Sequence, residues 1–144
     1  RPTNNYGIGQ YPEKLIPLSI KNIYRNKKIR LHNNGTPVRT WLHVEDTANA
    51  VYTAISSGAN NEIYNISGNY ECKNIEVIKK LCSYMENVTI ESHVDFNYAR
   101  AGQDVRYAID GSKLMSIGWK ATADFDIELK KIVEDTNQDS FFYE

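Results

Sequence analysis

The chain has 144 residues, of which 41% are hydrophobic and 24% are charged, and its formal net charge is −1. This composition predicts a folded globule, and the length suits one domain with its own core rather than two. The near-neutral charge argues against nucleic-acid binding through phosphate neutralisation, and no apolar run is long enough to span a membrane.

The cysteines and histidines favour neither a disulfide framework nor a metal site. Cys72 and Cys82 do not form a C-x-x-C pair, and the histidines lack the local spacing of a zinc site. Reduced thiols and the lack of a recognisable signal peptide predict a cytoplasmic protein with no membrane or nucleic-acid partner.

The first half of the chain predicts a helix, a short strand and a second helix. Residues 12–26 form the first helix, because isoleucines recur at the spacing of one helical face, as Ile16, Ile20 and Ile23. A strand over residues 28–32 precedes a turn signal at Asn33-Asn34-Gly35. Asp46 is predicted to cap a helix that ends at Gly58 and buries a face of Ala50, Val51, Ala54 and Ile55.

The second half continues to mix strands and helices. Residues 62–66 alternate like a strand, and residues 88–96 are predicted to be extended. A helix from Ile75 to about Met85 has the apolar stripe Ile78, Leu81, Cys82 and Met85. Asp110 is predicted to cap a short helix that ends at Gly118, and a last helix has the stripe Phe125, Leu129, Ile132 and Val133. Helices and short strands that mix without a regular β-α-β series indicate an α/β fold.

Several sequence blocks carry a family resemblance. The chain opens with RPTNNYGIGQYPEKLIP, and further blocks follow in order: RTWLHVED at 39–46, EIYNISG at 62–68, RAGQDVRYAID at 100–110 and LMSIGWK at 114–120. The series resembles the nucleotide-sugar 4,6-dehydratases of the extended short-chain dehydrogenase/reductase, epimerase/dehydratase family, most of all those acting on dTDP-glucose. It implies that residues 1–144 are a single nucleotide-sugar-binding domain. This domain would be the C-terminal, substrate-binding portion of that fold, a fragment of a longer chain with the Rossmann half absent.

The resemblance assigns ligand contacts near the start of the chain and on Arg39. It places Asn4 against the substrate, Lys14 and Leu15 against the nucleotide, and Asn5 at the edge of the nicotinamide cofactor. Arg39 matches a residue that contacts the diphosphate, and a guanidinium can hold phosphate oxygens bidentately. From residue type alone, Arg39 also suits a surface position at a strand end, and Lys14 also suits a solvated helix.

Later segments supply the remaining predicted contacts. Asn74 matches a diphosphate contact, although an asparagine opening a helix is equally typical of an N-cap. Arg100 and Gln103 match a loop that closes over ribose and phosphate, where Gln103 replaces the usual histidine. His32 stands where the family has an aromatic residue that stacks on the base, and Arg30 replaces a nearby proline. Both flat side chains are able to stack.

We expect no catalytic residue in this chain. Gly7-Ile8-Gly9 lacks the third glycine of a dinucleotide turn, so NAD binding and the proton-transfer pair of the family are expected in the absent N-terminal half. The isolated chain should be inactive, and the full-length protein should be an NAD-dependent nucleotide-sugar dehydratase and a homodimer. The alternatives are part of a UDP-sugar 4-epimerase or decarboxylase, and a non-catalytic module that binds nucleoside-diphosphate sugars.

Overall fold

The computed structural model of the chain describes residues 1–98 and 101–138, with the side chains of residues 137 and 138 left out. The strands are β1 (Asn4–Tyr6), β2 (Ile29–His32), β3 (Val38–His43), β4 (Tyr70–Lys73), β5 (Val94–Tyr98) and β6 (Arg106–Tyr107). The helices are α1 (Leu15–Tyr24), α2 (Val44–Ser57), α3 (Asn74–Ser83), α4 (Ile90–His93), α5 (Ser112–Met115) and α6 (Phe125–Gln138). This mixture confirms the predicted α/β class.

The main sheet is organised around β3. Its C-terminal half pairs in parallel with β1, so that Asn4 lies opposite Trp41 and Asn5 opposite Leu42. Its N-terminal half pairs with β6, and β4 runs antiparallel along residues 38–41. Arg39 and Trp41 are two residues apart on β3 and therefore lie on one face of the sheet.

A second, two-stranded sheet carries Arg30 and His32, which are predicted to lie beside the nucleobase and are called the base-side residues below. β2 and β5 run parallel, with Arg30 opposite Asp95 and His32 opposite Tyr98 across an irregular register. A 3₁₀ turn at Asn33–Gly35 follows β2. Gly35 has φ +68°, and a Cβ there would lie 2.9 Å from the Ile75 nitrogen. Only glycine therefore allows the turn to pack this closely against the start of α3.

The main core lies between the helices and both sheets and confirms three of the predicted stripes. α1 buries all three of its predicted isoleucines, and α6 buries all four of its predicted apolar residues. α3 buries Ile78, Leu81 and Cys82, while Met85, just beyond its end, packs against the same core. α1 starts at Leu15 rather than at residue 12 and ends at Tyr24, and Asn26 just beyond it has a left-handed backbone conformation. Pro17 lies in its first turn, where a missing N–H costs little.

The prediction for α2 was right about its end at Gly58 and about Ala50 and Ala54, which face the core, but wrong about its cap and about Val51 and Ile55. His43, not Asp46, occupies the N-cap position, and Asp46 is 3% exposed. Its carboxylate accepts hydrogen bonds from Thr122 and Ala123, because the segment before α6 presents N–H groups there. Val51 is 48% exposed and Ile55 is 80% exposed, since no described element covers that side of the helix.

Two extended segments also differ from prediction. Residues 62–66 form no strand, and Ile66 makes an isolated bridge with Pro2. Residues 88–96 contain the single helical turn of α4 before β5, because the Thr89 hydroxyl accepts from the Ser92 amide. Gly111, not the predicted Asp110, occupies the N-cap position of α5, although the Asp110 carboxylate accepts a hydrogen bond from the Ser112 amide at the start of the helix. No helix within the described residues is long and apolar enough to cross a membrane.

Candidate functional site

A pocket of about 340 Å³ lies between β1, the start of α1 and β3. Four predicted contact residues line it together: Asn4, Asn5, Lys14 and Leu15. Gln10 and Trp41 complete the lining. Parallel pairing of β1 with β3 places the asparagines beside Trp41, and the loop after β1 brings Lys14 and Leu15 back over them.

Asn5 is held rigidly in this pocket. Its Nδ2 donates to the Thr3 carbonyl oxygen at 3.0 Å, and its Oδ1 accepts from the Thr47 hydroxyl at 2.5 Å. Its backbone oxygen accepts from Gln10 Nε2 at 2.7 Å. The amide is therefore oriented before any ligand binds, and it keeps one N–H for a further partner.

Lys14 and Leu15 form the entry to α1. Lys14 occupies the N-cap position in an extended conformation and makes no side-chain capping bond. Its ammonium has no carboxylate partner among the described residues. Leu15 is half-buried against the main core. Lys14 therefore places an exposed ammonium group at the N-terminus of α1.

Arg39 projects from β3 and is held by carbonyl groups. Its Nη1 donates to the Val38 oxygen at 2.7 Å and to the Asp104 oxygen at 3.1 Å. No carboxylate of the described residues pairs with this guanidinium. Arg106 instead pairs with Glu71 at 2.9 Å, and this hydrogen-bonded arginine lowers the pKa of Glu71.

Asn74 is the first residue of α3, and the capping role that residue type suggested is wrong. Lys73 occupies the N-cap, and its amide donates to the Glu76 carboxylate at 2.8 Å. The backbone N–H of Asn74 donates a hydrogen bond to the Pro37 carbonyl oxygen at 3.0 Å. Its Oδ1 is buried without a partner among the described residues. The side chain is therefore not consumed by helix capping.

Tyr98 organises the predicted base-side residues. The Arg30 guanidinium carbon lies 4.9 Å from the Tyr98 ring centroid, and the His32 ring lies 5.8 Å from it at 72°. The His32 Nδ1 is buried and unpartnered among the described residues. Gln103 Oε1 accepts a hydrogen bond from Asn33 Nδ2 at 3.4 Å, which brings its loop to the same turn. Arg100 lies outside the described residues.

Leu15 is common to two cavities. It lines the pocket described above and also a neighbouring cavity of about 680 Å³, which Arg30 also lines. Arg39, Asn74 and Gln103 line neither of these cavities. The structure thus brings Asn4, Asn5, Lys14 and Leu15 together in one pocket and places the other described predicted residues outside it. Sequence reasoning missed Gln10, Trp41 and Tyr98, although the first two lie inside the blocks of family resemblance.

Two buried titratable side chains, Tyr6 and His43, lie against each other in an aromatic cluster. Tyr6 is 2% exposed, and burial raises its pKa far above the ordinary value, so its phenol stays protonated at neutral pH. His43 lies 3.7 Å from Glu128 within the same aromatic cluster. No group of three or more potential metal ligands occurs in the part of the chain that the structure describes.

One spacing in the sequence matches a catalytic pair that we had placed in the absent half. Tyr24 and Lys28 stand four residues apart, as do the tyrosine and lysine of the family's proton-transfer pair. α1 ends at Tyr24, and Lys28 lies beyond the helix, where its Nζ donates a hydrogen bond to the Ser92 carbonyl oxygen at 2.5 Å. The two side chains therefore do not share a helix face, and the match is one of spacing alone.

Comparisons with known proteins cover nearly the whole chain. Residues 1–67 match the model of the NAD dependent epimerase/dehydratase family. dTDP-glucose 4,6-dehydratase 1 of Escherichia coli (strain K12) is 38% identical over an alignment of 138 residues, and the match covers 92% of this chain and 38% of that protein. The chain therefore spans about two fifths of the length of this curated relative.

Solved structures show the same fold. A dTDP-glucose 4,6-dehydratase from Streptomyces venezuelae, crystallised with NAD, has a TM-score of 0.92 and 32% identity, covering 100% of this chain and 44% of that one. The enzyme from Bacillus anthracis, also in complex with NAD, has a TM-score of 0.88 and 35% identity over 99% of this chain and 45% of that one. The family resemblance predicted from the sequence blocks is confirmed.

Proposed function

We propose that this chain, dTDP-glucose 4,6-dehydratase-like in sequence and fold, is the nucleotide-sugar-binding part of an NAD-dependent dehydratase. The whole enzyme would convert a nucleoside-diphosphate hexose to its 4-keto-6-deoxy derivative. The remaining part of the full-length protein would supply most of the NAD site and the proton-transfer groups. The predictions of a homodimer and of a cytoplasmic location belong to this proposal.

The convergence of Asn4, Asn5, Lys14 and Leu15 on one pocket carries the proposal. The opening sequence block supplies these four residues, and a second block supplies Arg39, which faces the same side of β3 as Trp41 in the pocket wall. Two cations without carboxylate partners among the described residues suit a diphosphate, and a guanidinium binds phosphate bidentately. The amides suit sugar hydroxyls, which both donate and accept.

The pocket also fits a contact with the nicotinamide end of NAD. Asn5 keeps an oriented amide at the pocket wall, held by Thr3 and Thr47. When bound, NAD supplies hydride acceptance and return. This chain would orient the hexose next to that group by gripping the diphosphate through Arg39 and the sugar through Asn4, which converts binding energy into alignment.

Product analysis of the full-length protein tests the proposal. Incubation with NAD and dTDP-glucose should yield a 4-keto-6-deoxy product, detected by mass spectrometry as loss of one water. UDP-glucose and UDP-glucuronate serve as parallel substrates. An epimer or a decarboxylated product, with no dehydration, would favour the epimerase or decarboxylase alternative. Tight nucleotide-sugar binding with no turnover of any substrate would favour the non-catalytic module.

Arg39 provides the residue-level test. In the full-length protein, Arg39→Ala should weaken dTDP-glucose binding on the order of 10- to 100-fold, because a charge-assisted hydrogen bond contributes about 1.5–3 kcal/mol. Arg39→Lys keeps the charge without the bidentate geometry and should lose less. Lys14→Ala should cost less than Arg39→Ala, since an exposed ammonium contributes little. Equal losses for Arg39→Ala and Lys14→Ala, by calorimetric titration, would refute the special role of Arg39.

A further inference from the structure

Gln10 has an amide whose orientation is fixed by a neighbouring backbone group. It lies in the loop after β1, half-buried, and its Nε2 donates to the Asn5 carbonyl oxygen at 2.7 Å. The reverse orientation would set two carbonyl oxygens at that distance, which is repulsive. The amide oxygen Oε1 therefore points away from Asn5.

This oxygen has no hydrogen-bond partner. Oε1 is buried, and no donor among the described residues reaches it. Gln10 lines the pocket formed with Asn4, Asn5, Lys14, Leu15 and Trp41. A buried carbonyl oxygen without a donor is costly, so such groups in folded proteins are normally satisfied by protein, water or ligand.

We propose that Gln10 is a ligand-positioning residue, whose Oε1 accepts a hydrogen bond from a donor on the molecule bound in this pocket. The inference deepens the proposed function and rests on it. Two ligand groups have the required chemistry, a hexose hydroxyl and the carboxamide N–H of nicotinamide. The pocket joins residues assigned to both ligands, because Asn4 is predicted to contact the sugar and Asn5 the cofactor.

The Gln10 side chain is also held in place before a ligand binds. The hydrogen bond from Nε2 to Asn5 couples Gln10 to the residue whose own side chain is fixed by Thr3 and Thr47. The acceptor is therefore pre-oriented, and ordering it on ligand binding costs little. A site that presents a fixed acceptor discriminates against ligands that lack the matching donor.

Ligand pairs that differ by one group test the inference in the full-length protein. dTDP-glucose is compared with dTDP, and NAD is compared with ADP-ribose, by calorimetric titration. Gln10→Met should weaken one member of a pair about 3- to 10-fold while changing its truncated partner by less than about twofold. Loss confined to dTDP-glucose identifies the sugar hydroxyl, and loss confined to NAD identifies the carboxamide.

The controls separate this role from a structural one. Asn65→Leu removes a comparable amide hydrogen bond, to the Asp110 carbonyl oxygen, in a part of the chain away from the pocket, and should leave all four affinities unchanged. Should Gln10→Met fail to fold, as judged by circular dichroism, Gln10→Asn retracts the acceptor by one methylene and should show the same selective loss.

Two outcomes overturn the inference. If Gln10→Met weakens both members of each pair equally, or none of the four ligands, Oε1 is satisfied by water and Gln10 has no positioning role. In that case the wild-type protein still binds dTDP-glucose and NAD, and the proposed function stands. If the wild-type protein binds neither, the proposed function fails and the inference with it.

Discussion

Replacing Asp46 by asparagine would test how α2 is joined to the segment that precedes α6. The buried carboxylate accepts from the Thr122 amide at 3.1 Å, the Thr122 hydroxyl at 3.0 Å and the Ala123 amide at 3.0 Å. The Asp46 carbonyl oxygen also accepts from the Trp119 indole at 3.1 Å. One residue thus ties together two regions separated by more than seventy positions.

The expected cost follows from the donors that asparagine cannot serve. The new NH₂ group would face either the Ala123 N–H or the Thr122 N–H, which the carboxylate accepts through both oxygens, so the hydrogen bonds to Asp46 cannot all be kept, at a cost of about 1–3 kcal/mol. The bonds that remain lose their charge assistance, which roughly halves their strength. The free energy of unfolding should fall by about 2–4 kcal/mol, a large part of the roughly 5–15 kcal/mol typical of a domain.

Glu45→Gln is the matched control for this substitution. It removes the same charge from the adjacent residue, which is exposed and accepts no hydrogen bond from Thr122 or Ala123. Urea unfolding monitored by circular dichroism should show a change below about 0.5 kcal/mol for Glu45→Gln. If Asp46→Asn falls within about 0.5 kcal/mol of that control, the carboxylate does not hold α2 to the segment before α6.

Three further predictions concern packing, a thiol and ligand choice. Gly68→Ala should strongly destabilise the chain in thermal melts, because a Cβ there would lie 1.8 Å from the Trp41 oxygen of β3, and an unchanged midpoint would contradict this. Burial raises the pKa of Cys72 from 9.0 to about 11. Because its folded pKa exceeds the unfolded one, stability should fall as pH rises from about 9 to 11, on the order of 1 kcal/mol at pH 10, and less so in Cys72→Ala. The isolated chain should show no dehydratase turnover and should bind dTDP or UDP weakly yet better than NAD in ligand-observed NMR; preferential NAD binding would be the contrary result.

The elements that could be predicted from sequence are those whose burial is periodic. α3 and α6 pack one helical face into the main core, so their apolar spacing shows in the sequence. β1 and β6 are three and two residues long and exist because β3 pairs with them, which no local pattern indicates. Val51 and Ile55 of α2 were predicted to be buried because they have the spacing of an apolar stripe, but both are exposed.

Some residues of the candidate site could likewise be predicted from the sequence, and others only from the structure. Family resemblance identified Asn4, Asn5, Lys14 and Leu15, and the fold brings them to one pocket. Gln10 became visible only once the fold showed a buried oxygen without a donor. Tyr98 and the carboxylate of Asp46 likewise depend on partners far along the chain, so their roles follow from tertiary structure rather than from sequence spacing.

The division of the site between two sheets has a consequence for its dynamics. Arg30 and His32 lie on the two-stranded sheet of β2 and β5, whereas Arg39 lies on β3, which has paired strands on both edges. Amide protons of β3 should exchange with solvent only when most of the chain unfolds, while those of β2 can exchange through local opening. Under the proposed function, this difference predicts that Arg30 and His32 adjust to different nucleotides while Arg39 keeps its hold on the diphosphate, so a change in nucleobase preference would not weaken phosphate binding.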